Sequence, residues 1–313
     1  MTARWAALGV AALALGTALA VTDDGAGAPG PTGRIYFVSW RDATENEARA
    51  YRGMEIYSMR PDGSDVRRLT RNRVDDLWPR VSRDGKRLVF VRQAPPRRRP
   101  EIWTMNADGS GARRIGPAGL GETPTWAPDG KRIAFVSSKS GLPALWIMNA
   151  NGTGRRAVEL PEPPSNAGDD WPYTVLFPAW SPDGRTIAFS NGMSLWAVEV
   201  ESGEVRRLAR CTRGYCMFPA WSPDGRLVAY QHVGGQVVKV VPASGGAPRV
   251  VVPTNRGGGG SPSWSPDGRY IVFNRGYLPG HPYQEIAVIA ASGGAQRRLT
   301  TNFVDDHSAS WGR

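Results

Sequence analysis

The sequence has few of the residues that build metal and redox sites, since its 313 residues include only 2 cysteines and 3 histidines. Cys211 and Cys216 do not have the Cys-x-x-Cys spacing of a zinc knuckle, and no second pair exists to complete a tetrahedral site. This scarcity excludes a structural zinc module. In an exported chain, two cysteines this close favour a local disulfide, with a pair of free thiols as the alternative.

Long apolar runs are also missing, apart from one at the start of the chain. Residues 5–21 are apolar or small, Arg4 precedes them, and Ala18-Leu19-Ala20 offers a small-x-small cleavage site. We therefore predict a signal peptide over residues 1–20 and a polar linker over residues 21–32. An uncleaved amino-terminal anchor is the alternative, because the run is borderline for spanning a bilayer. The predicted location is extracytoplasmic (periplasmic, cell-envelope or secreted), with membrane contact only through a retained first segment.

Helical periodicity is absent from the rest of the chain, and a repeated phrase is found instead. FPAWSPDGRTIAF, at residues 177–189, has four close counterparts, and a second phrase such as EIWTMNADGSGARRI, at residues 101–115, occurs six times in related forms. The spacing of the first phrase is 41–54 residues, which is typical of one propeller blade. Its five copies place a turn aspartate at Asp84, Asp129, Asp183, Asp224 and Asp267.

The sixth copy of the first phrase is divided between the two ends of the chain. Residues 307–311 match its front half, and residues 33–37 match its back half. The C-terminal strand is therefore predicted to join the first N-terminal strands and to close the ring. We predict an all-β fold, a six-bladed β-propeller with four antiparallel strands per blade, over residues 33–313.

The net charge of +11 is compatible with a nucleic-acid partner, but the repeats spread the positive charge around the ring instead of concentrating it on one face. Pairs of arginines recur on the predicted outermost strands, all around the ring, where charge blocks edge-to-edge pairing. We therefore expect no nucleic-acid partner and a monomeric protein. One tryptophan also recurs near the end of the innermost strand and is predicted to pack between blades, at Trp126, Trp180, Trp221, Trp264 and Trp311.

The phrases FPAWSPDGRTIAF and EIWTMNADGSGARRI closely resemble the TolB family of propeller repeats, also called WD-repeat-like, over residues 33–313. The resemblance implies a six-bladed propeller that acts in the cell envelope as an interaction scaffold. TolB itself carries an α/β domain ahead of its propeller, whereas only a short linker precedes Gly33 here, so the resemblance implies a TolB-like propeller protein rather than a Tol–Pal role. The repeats also resemble propellers of prolyl oligopeptidase-type hydrolases, but no Gly-x-Ser-x-Gly elbow occurs in the chain.

The irregular sequence falls in the connections between second and third strands and between successive blades, which share one face of a propeller. We predict that this face binds the partner, because function concentrates in variable loops on a rigid scaffold. Acidic pairs precede several innermost strands and could form a carboxylate ring at the channel mouth. Asp76 and Asp306 are the weak Ca²⁺ candidates, with strand-end capping as the alternative. The three pairs are Asp75 and Asp76, Asp169 and Asp170, and Asp305 and Asp306.

Other polar residues on or near this face complete the candidate site. His232, His281 and His307 have no shared metal-ligand spacing, so three unconnected surface histidines are the favoured interpretation and a metal-dependent lyase site the alternative. A basic loop flanked by prolines, which could contact an acidic partner or anionic lipid, contains Arg97, Arg98 and Arg99.

The sequence therefore predicts an exported TolB-like propeller that serves as a protein-interaction scaffold, with an envelope or extracellular protein as its partner. No catalytic residues are assigned, because no nucleophile–base–orienter set is recognisable. No cofactor is expected, apart from Ca²⁺ at the acidic pairs. The alternative is a propeller enzyme or carbohydrate-binding protein with its site at the mouth of the central channel.

Overall fold

The computed structural model describes residues 31–44, 53–72, 74–94, 99–139, 141–162, 171–254, 258–276 and 283–313. The chain divides into two units, Met1–Gly30 and Pro31–Arg313. The predicted signal peptide lies in the first unit, outside the described residues, as does most of the linker. All of the strands belong to the second unit. No helix among the described residues is long and apolar enough to cross a membrane.

The second unit is a ring of six four-stranded antiparallel sheets, which confirms the predicted fold. Blade 1 contains β1 (Arg34–Ser39), β2 (Glu55–Met59), β3 (Arg67–Arg68) and β24 (Asp306–Gly312). Blade 2 contains β4 (Asp75–Val81), β5 (Arg87–Ala94), β6 (Arg99–Asn106) and β7 (Arg113–Arg114). Blade 3 contains β8 (Glu122–Trp126), β9 (Arg132–Ser137), β10 (Ala144–Asn149) and β11 (Arg156–Ala157).

The remaining blades follow the same order. Blade 4 contains β12 (Leu176–Trp180), β13 (Thr186–Ser190), β14 (Ser194–Glu199) and β15 (Val205–Arg210). Blade 5 contains β16 (Cys216–Trp221), β17 (Leu227–His232), a 3₁₀ turn (Val233–Gly235), β18 (Val237–Pro242) and β19 (Arg249–Val252). Blade 6 contains β20 (Gly260–Trp264), β21 (Tyr270–Arg275), β22 (Glu285–Ala290) and β23 (Gln296–Arg298).

Blade 1 is assembled from both ends of the propeller. The last strand, β24, pairs with β1 in antiparallel register, with Ile35 opposite Trp311 and Ser39 opposite Asp306. The indole N–H of Trp311 also donates to the Thr32 carbonyl at 3.0 Å. The predicted closure of the ring is therefore confirmed, and blade 1 has a complete inner strand.

The strands of each blade are named A to D from the innermost to the outermost. The turn between A and B strands is built by a serine and an aspartate in blades 2, 4, 5 and 6, and alanine replaces the serine in blade 3. In blade 2 the Ser82 hydroxyl donates to Asp84 at 2.6 Å, and the Arg87 amide donates back to the Ser82 hydroxyl at 3.0 Å. This hydroxyl contact lowers the pKa of Asp84. Gly85 takes the left-handed conformation, at φ 73°, which glycine adopts without strain.

The core lies between the blades as well as within them. Trp126 of blade 3 packs with Val89 and Ile102 of blade 2, and Trp264 of blade 6 packs with Val238 and Val240 of blade 5. These tryptophans are buried, as predicted for residues that fill the gap between twisted sheets. The arginine pairs of the outer strands also link blades. Arg297 donates to the Pro61 carbonyl of blade 1 at 2.9 Å.

Candidate functional site

The A strands surround a central channel, and each of them bends at the same place. Pairing with the B strand is interrupted in every blade, for example between Leu77 and Arg80 in blade 2 and between Leu176 and Ala179 in blade 4. One residue of each bulge lies in the left-handed region at φ 47–57°, where a side chain other than glycine is strained. The six residues are Trp78, Thr123, Phe177, Phe218, Ser261 and Ser308.

These six strained residues divide the channel into two halves. Trp78, Phe177 and Phe218 are large, and the rings of Phe177 and Phe218 lie 4.1 Å apart between centroids. They narrow the channel together with Thr123 and the prolines that follow them. Ser261 and Ser308 are small and leave space beside them. The channel therefore has a constriction on the side of blades 2 to 5 and an opening on the side of blades 6 and 1.

That opening, which we call the upper cavity, has a volume of about 430 Å³ and lies on the face carrying the B–C and D–A connections. This face is called the upper face, and the face with the A–B and C–D turns is the lower face. Trp78 and Phe218 form one wall of the upper cavity. Its remaining polar lining consists of neutral amides, hydroxyls and one histidine: Gln231, Gln236, Asn274, Gln284, Ser261, Ser308 and His307.

Two of the three acidic pairs, Asp75 with Asp76 and Asp305 with Asp306, lie at the start of A strands, where the sequence predicts them, and their side chains are already bound. Asp76 is fully buried, and its carboxylate receives two hydrogen bonds from Arg92, at 2.7 and 2.8 Å. Asp306 is also fully buried and receives two from Arg41, at 3.1 and 3.0 Å. In both cases an asparagine four residues earlier donates a further bond. The two carboxylates are thus neutralised within their own blades.

The first aspartate of each pair contacts main-chain amides of a neighbouring C strand. Asp75 accepts from the amide of Met54 at 3.3 Å, and Asp305 accepts from the amide of Gln284 at 2.6 Å. Burial raises the pKa of Asp305. These contacts match the capping alternative. Among the described residues, no three His, Cys, Asp or Glu side chains are grouped as metal ligands. Calcium binding remains a prediction, to be measured by calorimetry.

The structure separates the predicted histidines. His307 lines the upper cavity, contacts the Ser308 hydroxyl at 2.9 Å and packs against Trp40, and desolvation lowers its pKa to about 4. His232 lies at the end of β17 and bonds through Nε2 to the Arg213 carbonyl at 2.8 Å. Arg99 is exposed at the start of β6. The remaining candidates, Asp169, Asp170, His281, Arg97 and Arg98, lie outside the described residues.

Cys211 and Cys216 form a disulfide, as their spacing predicts. The bridge closes the short loop between β15 and β16, and the His232 contact holds the same loop. Main-chain bonds from both cysteines to residues 192–193 attach this loop to blade 4. Tyr215, inside the loop, is 54% exposed. The disulfide therefore fixes a loop that presents an aromatic side chain to solvent.

Large apolar side chains remain exposed on the upper face of blades 3 to 5. Leu142, Tyr173, Met193 and Tyr215 are 63%, 56%, 38% and 54% exposed. Main-chain bonds join the loops that carry them in pairs: Val175 to Pro143, and Cys211 to Met193. We call these four residues the loop patch. The sequence analysis missed it, although each member is an apolar residue in a connection between blade strands.

These observations define the class of the protein as a six-bladed β-propeller whose ring is closed by β24, with four exposed apolar side chains on its upper face. No family model matches the chain. Tol-Pal system protein TolB of Anaeromyxobacter dehalogenans (strain 2CP-C) is 30% identical over 171 residues, which are 52% of this chain and 36% of that protein. Protein TolB homolog of Chlorobium luteolum is 31% identical over 156 residues, which are 49% and 33% of the two chains.

The crystal structure of TolB from Acinetobacter baumannii superposes with a TM-score of 0.73 at 20% identity, covering 90% of this chain and 67% of that one. The matches span about a third of the length of the two curated relatives. Within its class, the propeller is TolB-like, as its repeats predict.

Proposed function

We propose that this chain is an exported, TolB-like scaffold of the cell envelope that binds another protein through its upper face. The observation that carries this proposal is the loop patch. Isolated exposed apolar residues are ordinary, but these four lie on upper connections of three neighbouring blades, and main-chain bonds join those connections in pairs. Such a group is suited to a protein partner. Two of the four are tyrosines, which supply much of the binding energy in protein interfaces.

The similarity to Tol-Pal system protein TolB supports an envelope location and a protein partner. The N-terminal apolar segment and the disulfide support export, because disulfides persist in oxidising compartments. The rigid propeller and the disulfide hold Tyr215 in place before binding, which reduces the entropy lost on association.

The test is a crosslinking pull-down from the envelope of the source organism, followed by an affinity measurement on the captured protein. The variant Leu142→Asp/Tyr173→Asp/Tyr215→Asp is expected to bind at least about 30-fold more weakly, because the loss of interface anchors costs about 2 kcal/mol or more. The matched control is Val66→Asp/Val250→Asp, which changes two exposed apolar residues outside the upper loops. Equal binding by both variants, with both folded, would contradict the proposal.

A second function, recognition of a neutral polar ligand such as a carbohydrate, is favoured by the lining of the upper cavity. Its amides can donate and accept hydrogen bonds, and the Trp78 and Phe218 side chains provide a wall for stacking. The Asn274 Oδ1 atom is buried and has no hydrogen-bond partner among the described residues. Oligosaccharide binding that is lost in Asn274→Ala and retained in the loop-patch variant would establish this function separately from protein docking.

A further inference from the structure

The lower end of the channel is a second cavity, which we call the lower funnel. It has a volume of about 230 Å³ and opens between the A–B turns. Aromatic rings and prolines provide most of its wall: Trp126, Trp180, Trp221, Trp264, Trp311, Pro128, Pro182, Pro219, Pro223 and Pro266. No aspartate or glutamate side chain is among the described residues that line it. The lower funnel therefore combines aromatic and proline surface with hydroxyls and arginines, and its described lining carries no side-chain carboxylate.

One arginine breaks the symmetry of this wall. Arg80 of β4 pairs with Val89 two residues beyond the strained Trp78. Small residues fill the same register position in the other five blades, and they are Thr125, Ala179, Ala220, Ser263 and Ser310. At this register position, therefore, only blade 2 directs a long cationic side chain into the channel. It lines both the inner end of the lower funnel and the constriction above it. Arg83 and Arg313 also line the lower funnel, but both are exposed, and Arg83 lies in the A–B turn of blade 2.

Among the described residues, no carboxylate pairs with Arg80. Its one hydrogen bond described in the structure goes to the carbonyl of the adjacent Pro79, at 3.3 Å. Desolvation lowers the pKa of Arg80 to about 10, so the guanidinium stays charged at neutral pH. Arg92 and Arg41 show the contrast, because each is paired with a buried aspartate. Arg80 is partly buried, and a partly desolvated charge without an anion is costly, so an anion that enters the cavity would reduce this cost.

We propose that the lower funnel binds a small organic anion, a carboxylate with an apolar or aromatic body, whose charged group pairs with Arg80. A guanidinium matches the geometry of a carboxylate and can bond to both of its oxygens. At the inner end of the lower funnel a single guanidinium balances one negative charge, because Arg83 and Arg313 are exposed residues of its outer lining. The tryptophan and proline wall favours an apolar body, and the volume limits that body to roughly the size of one aromatic ring with a short substituent.

The Thr123 hydroxyl supports a polar group at this depth. It lies in the constriction with Arg80, is buried, and has no hydrogen-bond partner among the described residues. Thr123 and Arg80, which both have unsatisfied hydrogen-bond donors, therefore line the constriction at the inner end of the lower funnel. The opening toward the lower face separates this site from the loop patch, so both could be occupied at the same time.

The test is calorimetric titration of the purified protein with sodium benzoate, with neutral benzamide and inorganic phosphate as comparison probes. Benzoate is expected to bind at least tenfold more tightly than benzamide or phosphate. Arg80→Gln should weaken benzoate binding at least tenfold and leave benzamide binding unchanged. The matched control is Arg113→Gln, which removes an exposed arginine from the outer strand of the same blade and should bind benzoate as the unchanged protein does.

Thermal unfolding without any probe separates a binding role from a structural one. Because Arg80 is desolvated and unpaired, Arg80→Gln is expected to unfold at the same temperature as the unchanged protein or higher. A lower unfolding temperature together with unchanged benzoate binding would make Arg80 a structural residue and overturn the proposal. Equal affinity for benzoate and benzamide, binding of phosphate alone, or no benzoate binding at about 10 mM would also overturn it.

Discussion

At the scale of single residues, whether a buried charged side chain is neutralised depends on whether the neighbouring strand places an oppositely charged side chain beside it. Asp76 and Asp306 occupy matching positions in blades 2 and 1, and an arginine from the adjacent B-strand side reaches each of them. Arg41 and Asp306 are 265 residues apart in the chain. The sequence therefore predicts the position of each carboxylate, but its partner depends on strand register and ring closure, which no local pattern contains.

Asp76→Asn is expected to destabilise the propeller. The change leaves the Arg92 guanidinium largely buried without its anion, and breaking such a pair costs about 3 kcal/mol. Urea unfolding would measure this loss of free energy. The control is Arg114→Gln, which removes a half-exposed partner of Glu101 and should cost less than about 1 kcal/mol. Similar losses in the two variants would show that the buried pair contributes no more than a surface pair.

His307 is expected to make stability depend on pH. Desolvation lowers its pKa from 6.5 to about 4, so between these two values the unfolded chain binds more protons than the folded protein. The contribution is fully present above pH 6.5 and is lost as the pH falls toward 4. Its size is on the order of 2 kcal/mol, since the side chain keeps partial contact with solvent.

Urea unfolding of the unchanged protein and of His307→Gln at a series of pH values would measure this dependence. The difference between them removes the contributions of other groups, such as Glu55, whose pKa is raised by burial. A difference that does not change between pH 4 and pH 6.5 would contradict the assignment.

At the scale of strands and turns, the repeats predict the elements well because their turns are specified locally. In blades 2, 4, 5 and 6 a serine, an aspartate and a glycine in fixed order build the A–B turn, and the structure shows the bond from the serine hydroxyl to the aspartate in each. The bulge in each A strand could not be predicted in this way. Its strained residue precedes a proline in five blades. Because a residue before proline disfavours helical backbone conformations, its left-handed φ is not a local preference. We infer that closure of the ring imposes it.

The loop between β15 and β16 should lose rigidity when its disulfide is removed. The bridge spans only five residues of separation, so its chain-entropy contribution is about 2 kcal/mol. Cys211→Ala/Cys216→Ala is expected to reduce the free energy of unfolding by about this amount. Dithiothreitol should have the same effect on the unchanged protein and none on the double variant. Insensitivity of the unchanged protein to the reductant would contradict this prediction.

At the scale of the whole molecule, the positions of the proposed binding surfaces depend on which strand connections lie on the upper face and which lie on the lower face. The sequence places the irregular loops on the upper face correctly, because strand alternation alone determines which connections share a face. It does not identify the loop patch or the two ends of the channel. Both depend on which side chains from separate blades remain exposed after the ring has formed.

Pairing between β24 and β1 should carry a large part of the stability of the ring. Deletion of residues 306–313 removes the inner strand of blade 1 and exposes the buried edge of β1, so we expect loss of cooperative thermal unfolding. The control is a circular permutant that joins the two ends through a short linker and opens the chain at Gly246, an exposed turn glycine. A cooperative transition in the deletion variant would show that the ring does not need this strand.

Because blade 1 is built from strands at both ends of the propeller, the order of synthesis determines when the ring can close. A chain emerging from a ribosome releases β1 early, and the strand that pairs with it only after every other blade. Until then β1 presents an unpaired edge that could pair with another chain. Contacts of such long sequence separation form slowly. Completion of the propeller therefore waits for the synthesis of β24, and a product truncated before β24 cannot reach the closed state.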